Sequence, residues 1–300
     1  MQLKIGIIGA GFIAGRSPTP AILKLGERAK IVALADNRPD ALRHMAIHYG
    51  IGKTYTDPYE MLKENDLDLV HICTANNTHK EYSIAALRAG AHVLCEKPLA
   101  LSPGDAREMF AEADKAGRKL IACQNNRFGP TQEVKRLYAA GEFGEAYFTE
   151  LENVRTRGVP PWGRFHIAEE NGHGPLCDVG VHFIDAALFA LGNPALKSVS
   201  ASAFRKLAHQ EDATGDCRGA MEGEQPYLPR FDFDYRDFTV EDFSAGMIRF
   251  ENGLQMQIRF TWASNLPGGD YYRLAGTKGS LVYTKHLKLD NPLTVYKPHE

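Results

Sequence analysis

Three hundred residues provide for two domains and a substantial core, and 44% hydrophobic with 24% charged residues is ordinary for a globular chain. A formal net charge of −2 gives no general attraction for phosphate backbones, and no run of Lys and Arg supplies a local one, so nucleic acid is not an expected partner. No stretch approaches a membrane span, and the opening MQLKIGIIGAGFIAG lacks the length and flanks of a secretory signal, which makes a cytoplasmic protein the expectation.

In chain order, the first 125 residues alternate strand and helix signals. The apolar runs LKIGIIG, KIVALAD, DLVHICT, HVLCEK and KLIACQ predict strands. The segments RPDALRHMAIHYG, PYEMLKEN, THKEYSIAALRAG and SPGDAREMFAEADKAG predict helices, the last two stopping at Gly90 and Gly117. Ser102 before Pro103 fits an N-cap with proline at the first helical position. Such alternation indicates a parallel sheet with helices on both faces. Pro18 and Pro20 interrupt the expected first helix, so a short turn after Ala14 and a helix from near Thr19 are predicted.

After Gln124 the texture changes, and the domain boundary is placed there: residues 1–124 as a dinucleotide-binding domain, 125–300 as a substrate-binding and assembly domain. A helix over about Thr131–Ala140, a strand in GEFGEAYFTELENV and a buried helix in DVGVHFIDAALFALG are expected. KSVSASAF, EDFSAGMIRF, LQMQIRFTW, DYYRLAGT and GSLVYT then read as strands, with Glu251-Asn252-Gly253 as a hairpin turn. Residues 207–238 are polar and read as a long loop. Met247, Ile248, Met256, Ile258 and Phe260 are taken as an apolar sheet face that needs a partner copy, hence a homo-oligomer, dimer or tetramer. Five cysteines (Cys73, Cys95, Cys123, Cys177, Cys217) have no framework spacing or paired CxxC. They read as packing residues of a reducing compartment, and no metal is expected.

Gly9-Ala10-Gly11-Phe12-Ile13-Ala14 follows the first predicted strand as a G-x-G-x-x-A fingerprint. Gly9 permits the tight turn, Gly11 the close approach of a pyrophosphate, and Ala14 the packing of helix on sheet. Asp36 ends the second strand, about twenty residues further on, where a carboxylate accepts from ribose hydroxyls and repels a 2′-phosphate. That favours NAD. Arg38 is the residue that leaves NADP open, against its reading as a solvated residue or an adenine stack.

Three further clusters carry chemistry. Cys95-Glu96-Lys97-Pro98 ends one strand, and Cys73-Thr74-Ala75-Asn76-Asn77-Thr78-His79 ends another at the same edge, where open α/β sheets place ligands. In the later helix Asp178 and His182 are four apart and share a face. Taken with Asn126-Arg127-Phe128, and in this order, these motifs resemble the glucose-fructose oxidoreductase/inositol dehydrogenase family (Gfo/Idh/MocA) over almost the whole chain. The resemblance implies an N-terminal Rossmann domain and a C-terminal α/β domain with an open, mostly antiparallel sheet. It implies reversible oxidation of a secondary alcohol on a sugar, cyclitol or related polyol.

Carried over, Lys97 lies beside the substrate hydroxyl and near the nicotinamide, Asp178 orients the substrate, and His182 exchanges the hydroxyl proton. Which of Lys97 and His182 is the formal base stays open. Glu96 and Pro98 fall on the nicotinamide side, with Pro98 after a cis bond; Thr74, Asn76 and His79 fall near the cofactor, where a cap or core role for Asn76 and His79 stands equally. Arg127 joins the substrate contacts. Arg157 and Trp162 read either as a sugar-binding wall or as a subunit contact, with His166 and Tyr235 weaker candidates of the same kind. The family's three glycines are here Gly172-His173-Gly174, and relatives commonly continue through further helices beyond the point matching Glu300. Two alternatives remain: a glycosidase that oxidises its sugar only transiently, and a non-catalytic binding subunit on the same fold.

Overall fold

The computed structural model describes residues 2–215, 234–284 and 293–298. Cys217 and most of the polar stretch expected as a loop lie outside them. The described chain divides into two compact units, the first holding residues up to Cys123 together with Pro161–Gly172, the second holding the remainder.

In the first unit, β1 (Leu3–Ile8) leads through α1 (Phe12–Arg16) and α2 (Pro18–Leu23) to β2 (Ala29–Ala35). Then follow α3 (Pro39–Tyr49), β3 (Thr54–Tyr55), α4 (Pro58–Glu64), β4 (Leu69–Ile72), α5 (His79–Arg88), β5 (His92–Cys95), α6 (Pro103–Ala116) and β6 (Leu120–Ala122). The strands form one sheet in the order β3-β2-β1-β4-β5-β6, with every pairing parallel. Successive strand residues face opposite sides, and both sides are covered. Ile8, Val70, Ile72 and Val93 pack with Met61, Leu87 and Met109, whereas Ile5, Ile7, Ile31 and Leu34 pack with Ile22, Leu42 and Met45. Strand order reverses between β1 and β4, which opens a crevice at their carboxyl ends.

Local signals account for most boundaries. The Ser102 hydroxyl accepts from Asp105 N at 3.0 Å, Pro103 begins α6, and Gly117 closes it at φ 61. Helix begins at Phe12, earlier than the prolines suggested, breaks at Ser17 and resumes at Pro18. Proline is tolerated there because the first turn of a helix demands no N–H from it.

The second unit contains α7 (Pro130–Ala139), β7 (Ala146–Val154), α8 (Val181–Ala190), β8 (Leu196–Phe204), β9 (Phe243–Phe250), β10 (Gln255–Thr261), β11 (Gly269–Gly276), β12 (Ser280–Tyr283) and β13 (Leu293–Tyr296). Its sheet runs β13-β12-β11-β7-β10-β9-β8. Only the β7–β10 pairing is parallel. Gly253, at φ 89, turns β9 into β10.

The apolar face expected to be exposed is mostly the helix-covered one. Met256, Ile258 and Phe260 are 0–4% exposed and pack with Leu151, Tyr272, Leu274, Ala187 and Ala190, while Ile248 is partly buried against the same cluster. Alternation along an amphipathic strand names two faces without saying which a helix covers. Burying each large side chain gains roughly 1.5–3 kcal/mol, so α8 takes the apolar one. The opposite face carries a polar ladder: Glu152 lies across from Arg259 and Tyr271, and Glu150 across from Gln257 and Arg273. Glu152 pairs with Arg259, and Glu150 with Arg273 at 2.6 Å. Of the residues named, Met247 belongs to this face, opposite Gln257.

Candidate functional site

The glycine loop follows β1 directly. Gly9 has φ +104, and a Cβ there would stand 2.5 Å from the Cys73 carbonyl oxygen, so the turn admits only glycine. A Cβ on Gly11 would meet nothing within 4 Å; that open side of the loop is where a pyrophosphate fits. Ala14 is fully buried, and Ile13 packs against the same cluster, which seats α1 on the sheet. The Phe12 ring lies under the Arg16 guanidinium at 5.3 Å.

Asp36, just past β2, accepts from Ala10 N at 2.7 Å and from Arg38 N at 2.9 Å. Its carboxylate thus fastens the glycine loop to the neighbouring strand end. Arg38 Nε lies 3.3 Å from the same carboxylate, which binds the cation that would otherwise face a 2′-phosphate. A bare turn, an open loop side and an acidic residue at the next strand end fit the adenosine diphosphate half of a dinucleotide.

The other strand ends form one polar edge. After β4, the Thr74 hydroxyl accepts from Thr78 Oγ1 at 2.7 Å. Asn76, buried, donates to Asn171 Oδ1 at 2.6 Å and to its carbonyl at 3.0 Å. His79 Nδ1 lies 2.8 Å from the Pro98 carbonyl, and its Nε2 3.2 Å from the Thr74 carbonyl. Burial lowers the pKa of His79, leaving a neutral ring with one N–H, and the shorter contact assigns it to Nδ1. His79 therefore ties the β4 loop to the β5 loop in which Lys97 and Pro98 sit. The Lys97–Pro98 bond is cis. Glu96 stands 3.6 Å from His71 Nε2. Burial alone would raise its pKa, but His71 and Lys97 hold it below the usual carboxylate value.

Pro161–Gly172 belongs to this unit. Trp162 stacks on Phe12 with ring centroids 4.7 Å apart, so one face of its indole packs on the glycine loop. His166 is buried in the same segment.

In the second unit, a π-turn over Leu176–Gly180 runs into α8 and carries Asp178, with His182 in the first turn that follows. Glycine is required at two points. A Cβ on Gly174 would lie 1.9 Å from the Glu241 carbonyl oxygen, and one on Gly180 would lie 2.7 Å from the Phe260 ring. His173, between the family-like glycines, is exposed. Asp178 Oδ2 accepts from the buried indole Nε1 of Trp262 at 3.2 Å, which orients the carboxylate. Arg127 makes a two-pronged pair with Asp185, at 2.7 and 2.5 Å. The Arg157 guanidinium is engaged within the unit. Nε binds Asp212 at 3.0 Å, NH1 the carbonyls of Thr156 and Ser264 at 2.7 and 2.9 Å, and NH2 Asn265 at 3.1 Å. That geometry makes Arg157 a clasp for its own loops. Tyr235 is half-buried in a short 3-10 turn.

Trp262, Asn171 and His71 escaped the sequence reading. Trp262 ends an ordinary strand, Asn171 precedes the glycines, and His71 sits inside an apolar run; nothing local marks any of them.

Comparison with known proteins gives the same frame. A family model described as an oxidoreductase family with an NAD-binding Rossmann fold (Gfo/Idh/MocA) matches residues 3–123, and the C-terminal domain model of that family matches 131–282. The chain is 34% identical over 293 residues to the D-glucoside 3-dehydrogenase of Escherichia coli strain K12, covering 96% of this chain and 79% of the relative. It is 32% identical over 191 residues to a myo-inositol 2-dehydrogenase of Thermotoga maritima, covering 63% and 55%. Among solved structures, GenD2 from gentamicin A biosynthesis in complex with NAD superposes with a TM-score of 0.77 at 25% identity, over 94% of this chain and 72% of that one.

Proposed function

Because this chain belongs to the Gfo/Idh/MocA family of NAD-binding oxidoreductases, we propose that it moves a hydride between NAD and a secondary alcohol on the ring of a sugar, glycoside or cyclitol. The carrying observation is the parallel-sheet edge. There the Gly9–Gly11 turn, Asp36 and the Lys97–Pro98 loop lie on one unit. The two relatives named act, by name, on a glucoside and on myo-inositol, which supports a ring alcohol as the substrate class.

When bound, NAD supplies the hydride acceptor. Gly9 and Gly11 give its diphosphate a bare approach, and Asp36 receives the ribose hydroxyls. Lys97 stabilises alkoxide charge as it develops on the substrate oxygen. His182 takes or returns the hydroxyl proton, a general acid-base role that an imidazole can fill. Asp178, fixed by Trp262, orients a neighbouring substrate hydroxyl. His79 holds the β5 loop, and so Lys97, in register with β4.

The test is a panel of myo-inositol, glucose and methyl glucosides with NAD or NADP, read by nicotinamide absorbance and by sugar release. Net reduction of NAD supports the dehydrogenase. Glycoside cleavage without net reduction would instead assign a glycosidase that oxidises its sugar transiently.

Cofactor choice follows from Asp36. Calorimetry is expected to show NAD bound at least tenfold more tightly than NADP, about 1.4 kcal/mol, and Asp36→Ser is expected to narrow the gap by releasing Arg38. A wild type that prefers NADP would make Arg38 the deciding residue.

The protein self-associates through the polar face of the second unit's sheet. Glu152 is only 5% exposed on that face. Burial, opposed by Arg259, raises its pKa. Light scattering at micromolar concentration should give at least twice the 33.2 kDa chain mass, and Arg259→Glu, which sets like charges opposite each other, should shift it toward one chain. A wild-type monomer would end this assignment. The buried free thiols of Cys73 and Cys95 support a reducing compartment such as the cytoplasm; among the described residues no helix is long and apolar enough to cross a membrane.

A further inference from the structure

Three neighbouring strands of the parallel sheet end in a buried polar cluster that the proposed reaction leaves unused. His71 lies within β4 and Cys73 just after it, Glu96 directly follows β5, and Cys123 directly follows β6. Register places Ile72 beside Cys95 and Cys95 beside Ala122, so these side chains rise at one level of the edge. His71 Nε2 stands 3.6 Å from Glu96 Oε1 and 3.4 Å from Cys123 Sγ. The side chains of His71 and Glu96 are 5% and 14% exposed.

The tautomer follows from what is left over. His71 Nδ1 is buried without a hydrogen-bond partner. A proton there would strand a buried donor, whereas a proton on Nε2 faces the Cys123 sulfur and the Glu96 carboxylate and leaves only an acceptor unmet. Glu96 Oε2 in turn receives the Lys97 backbone N–H at 3.4 Å. The other titratable groups facing Glu96 are Cys73, Cys95, Cys123 and His79. Burial raises the thiols, Cys95 to about 12, and lowers His79, so all four stay neutral. Besides the Cys123 thiol, which hydrogen-bonds the same carboxylate, His71 and Lys97 are the groups that hold Glu96 down.

We propose that His71 is a positioning residue that acts through Glu96, holding its carboxylate ionised as a fixed counter-charge behind the Lys97 loop. The Glu96 carboxylate and the Lys97 ammonium attract each other, so His71 acts on Lys97 at one remove. The functional half of this inference rests on the reading of Lys97 as catalytic. The structural half, the hold of His71 on Glu96, does not.

The test is a titration of the full chain carrying carbon-13 carboxyl-labelled glutamate, with the Glu96 resonance assigned by its loss in Glu96→Gln. In the wild type Glu96 should titrate below the ordinary range for glutamate. In His71→Leu, which keeps the bulk and removes the donor, the ionised form loses its support. The midpoint should then rise by about one pH unit or more, roughly tenfold in proton affinity. His71→Gln puts an amide donor near the place of Nε2 and should bring the midpoint back toward wild type. A His71 that only fills space would alter melting temperature in both variants and leave the Glu96 titration where it was, and that result overturns the proposal. So does a shift in His71→Leu that His71→Gln leaves uncorrected. Loss of the Lys97 assignment would appear separately, as normal turnover in Lys97→Ala with the Glu96 titration unchanged in its response to His71.

Discussion

Lys97→Ala and His182→Ala are each expected to lower turnover by roughly 10²–10⁴, the scale for losing a positioned acid-base or charge-stabilising group. NAD affinity should barely change, because the diphosphate and ribose contacts lie at the Gly9–Gly11 turn and Asp36. Asp178→Asn should act mainly through substrate use, since the amide keeps an acceptor for the Trp262 indole but loses the charge. If Lys97 and His182 serve one hydroxyl, the double variant should fall little further than the worse single one. Steady-state kinetics with the most active member of the polyol panel, alongside NAD binding by calorimetry, separates this from a folding defect. Folded variants that bind NAD and turn over near normally would take both residues out of the reaction.

The two glycines of the loop should separate folding from binding. Gly9→Ala places a Cβ 2.5 Å from one backbone oxygen and 2.6 Å from its carbon, at φ +104. Neither the clash nor the dihedral can be relieved by a rotamer change. A cost of about 3 kcal/mol is expected, with the melting temperature lower by roughly 5–10 °C and NAD affinity reduced about a hundredfold. Gly11→Ala enters open space at φ −84 and should cost the fold no more than about 1 kcal/mol. It should nevertheless weaken NAD by tenfold or more, because the new methyl occupies the side from which the diphosphate approaches. Differential scanning fluorimetry and calorimetry on both variants check this. Equal loss of stability in the two, or unimpaired NAD binding by Gly11→Ala, would remove the loop from the cofactor site.

Much of this protein was legible in order along the chain, because its signals are local. A strand that ends in Gly-x-Gly, an aspartate at the next strand end and helices closed by Gly90 and Gly117 specify a parallel α/β unit by turn chemistry and caps. The Glu96-Lys97-Pro98 and Asp178–His182 clusters were visible for the same reason: each lies within a few residues, and its spacing has a meaning on a strand end or a helix face. The edge strands β3 and β13, two and four residues long, were not visible. Such short strands exist only because a neighbour offers its hydrogen bonds.

Tertiary structure decided what depends on packing partners. Alternation in β10 is the same whichever face a helix covers, and only α8 against Met256, Ile258 and Phe260 made the charged Glu150–Glu152 side the one turned away from the helix. Pro161–Gly172 left its sequence neighbours for the first unit because Trp162 and Asn171 found Phe12 and Asn76 there. Arg157 became a clasp through the Ser264 carbonyl and the Asn265 side chain, 107 and 108 residues away. His71, one polar residue in an apolar strand, acquired a role from Glu96 on the next strand, since a buried imidazole takes its meaning from what stands across the sheet, which no spacing along the chain records.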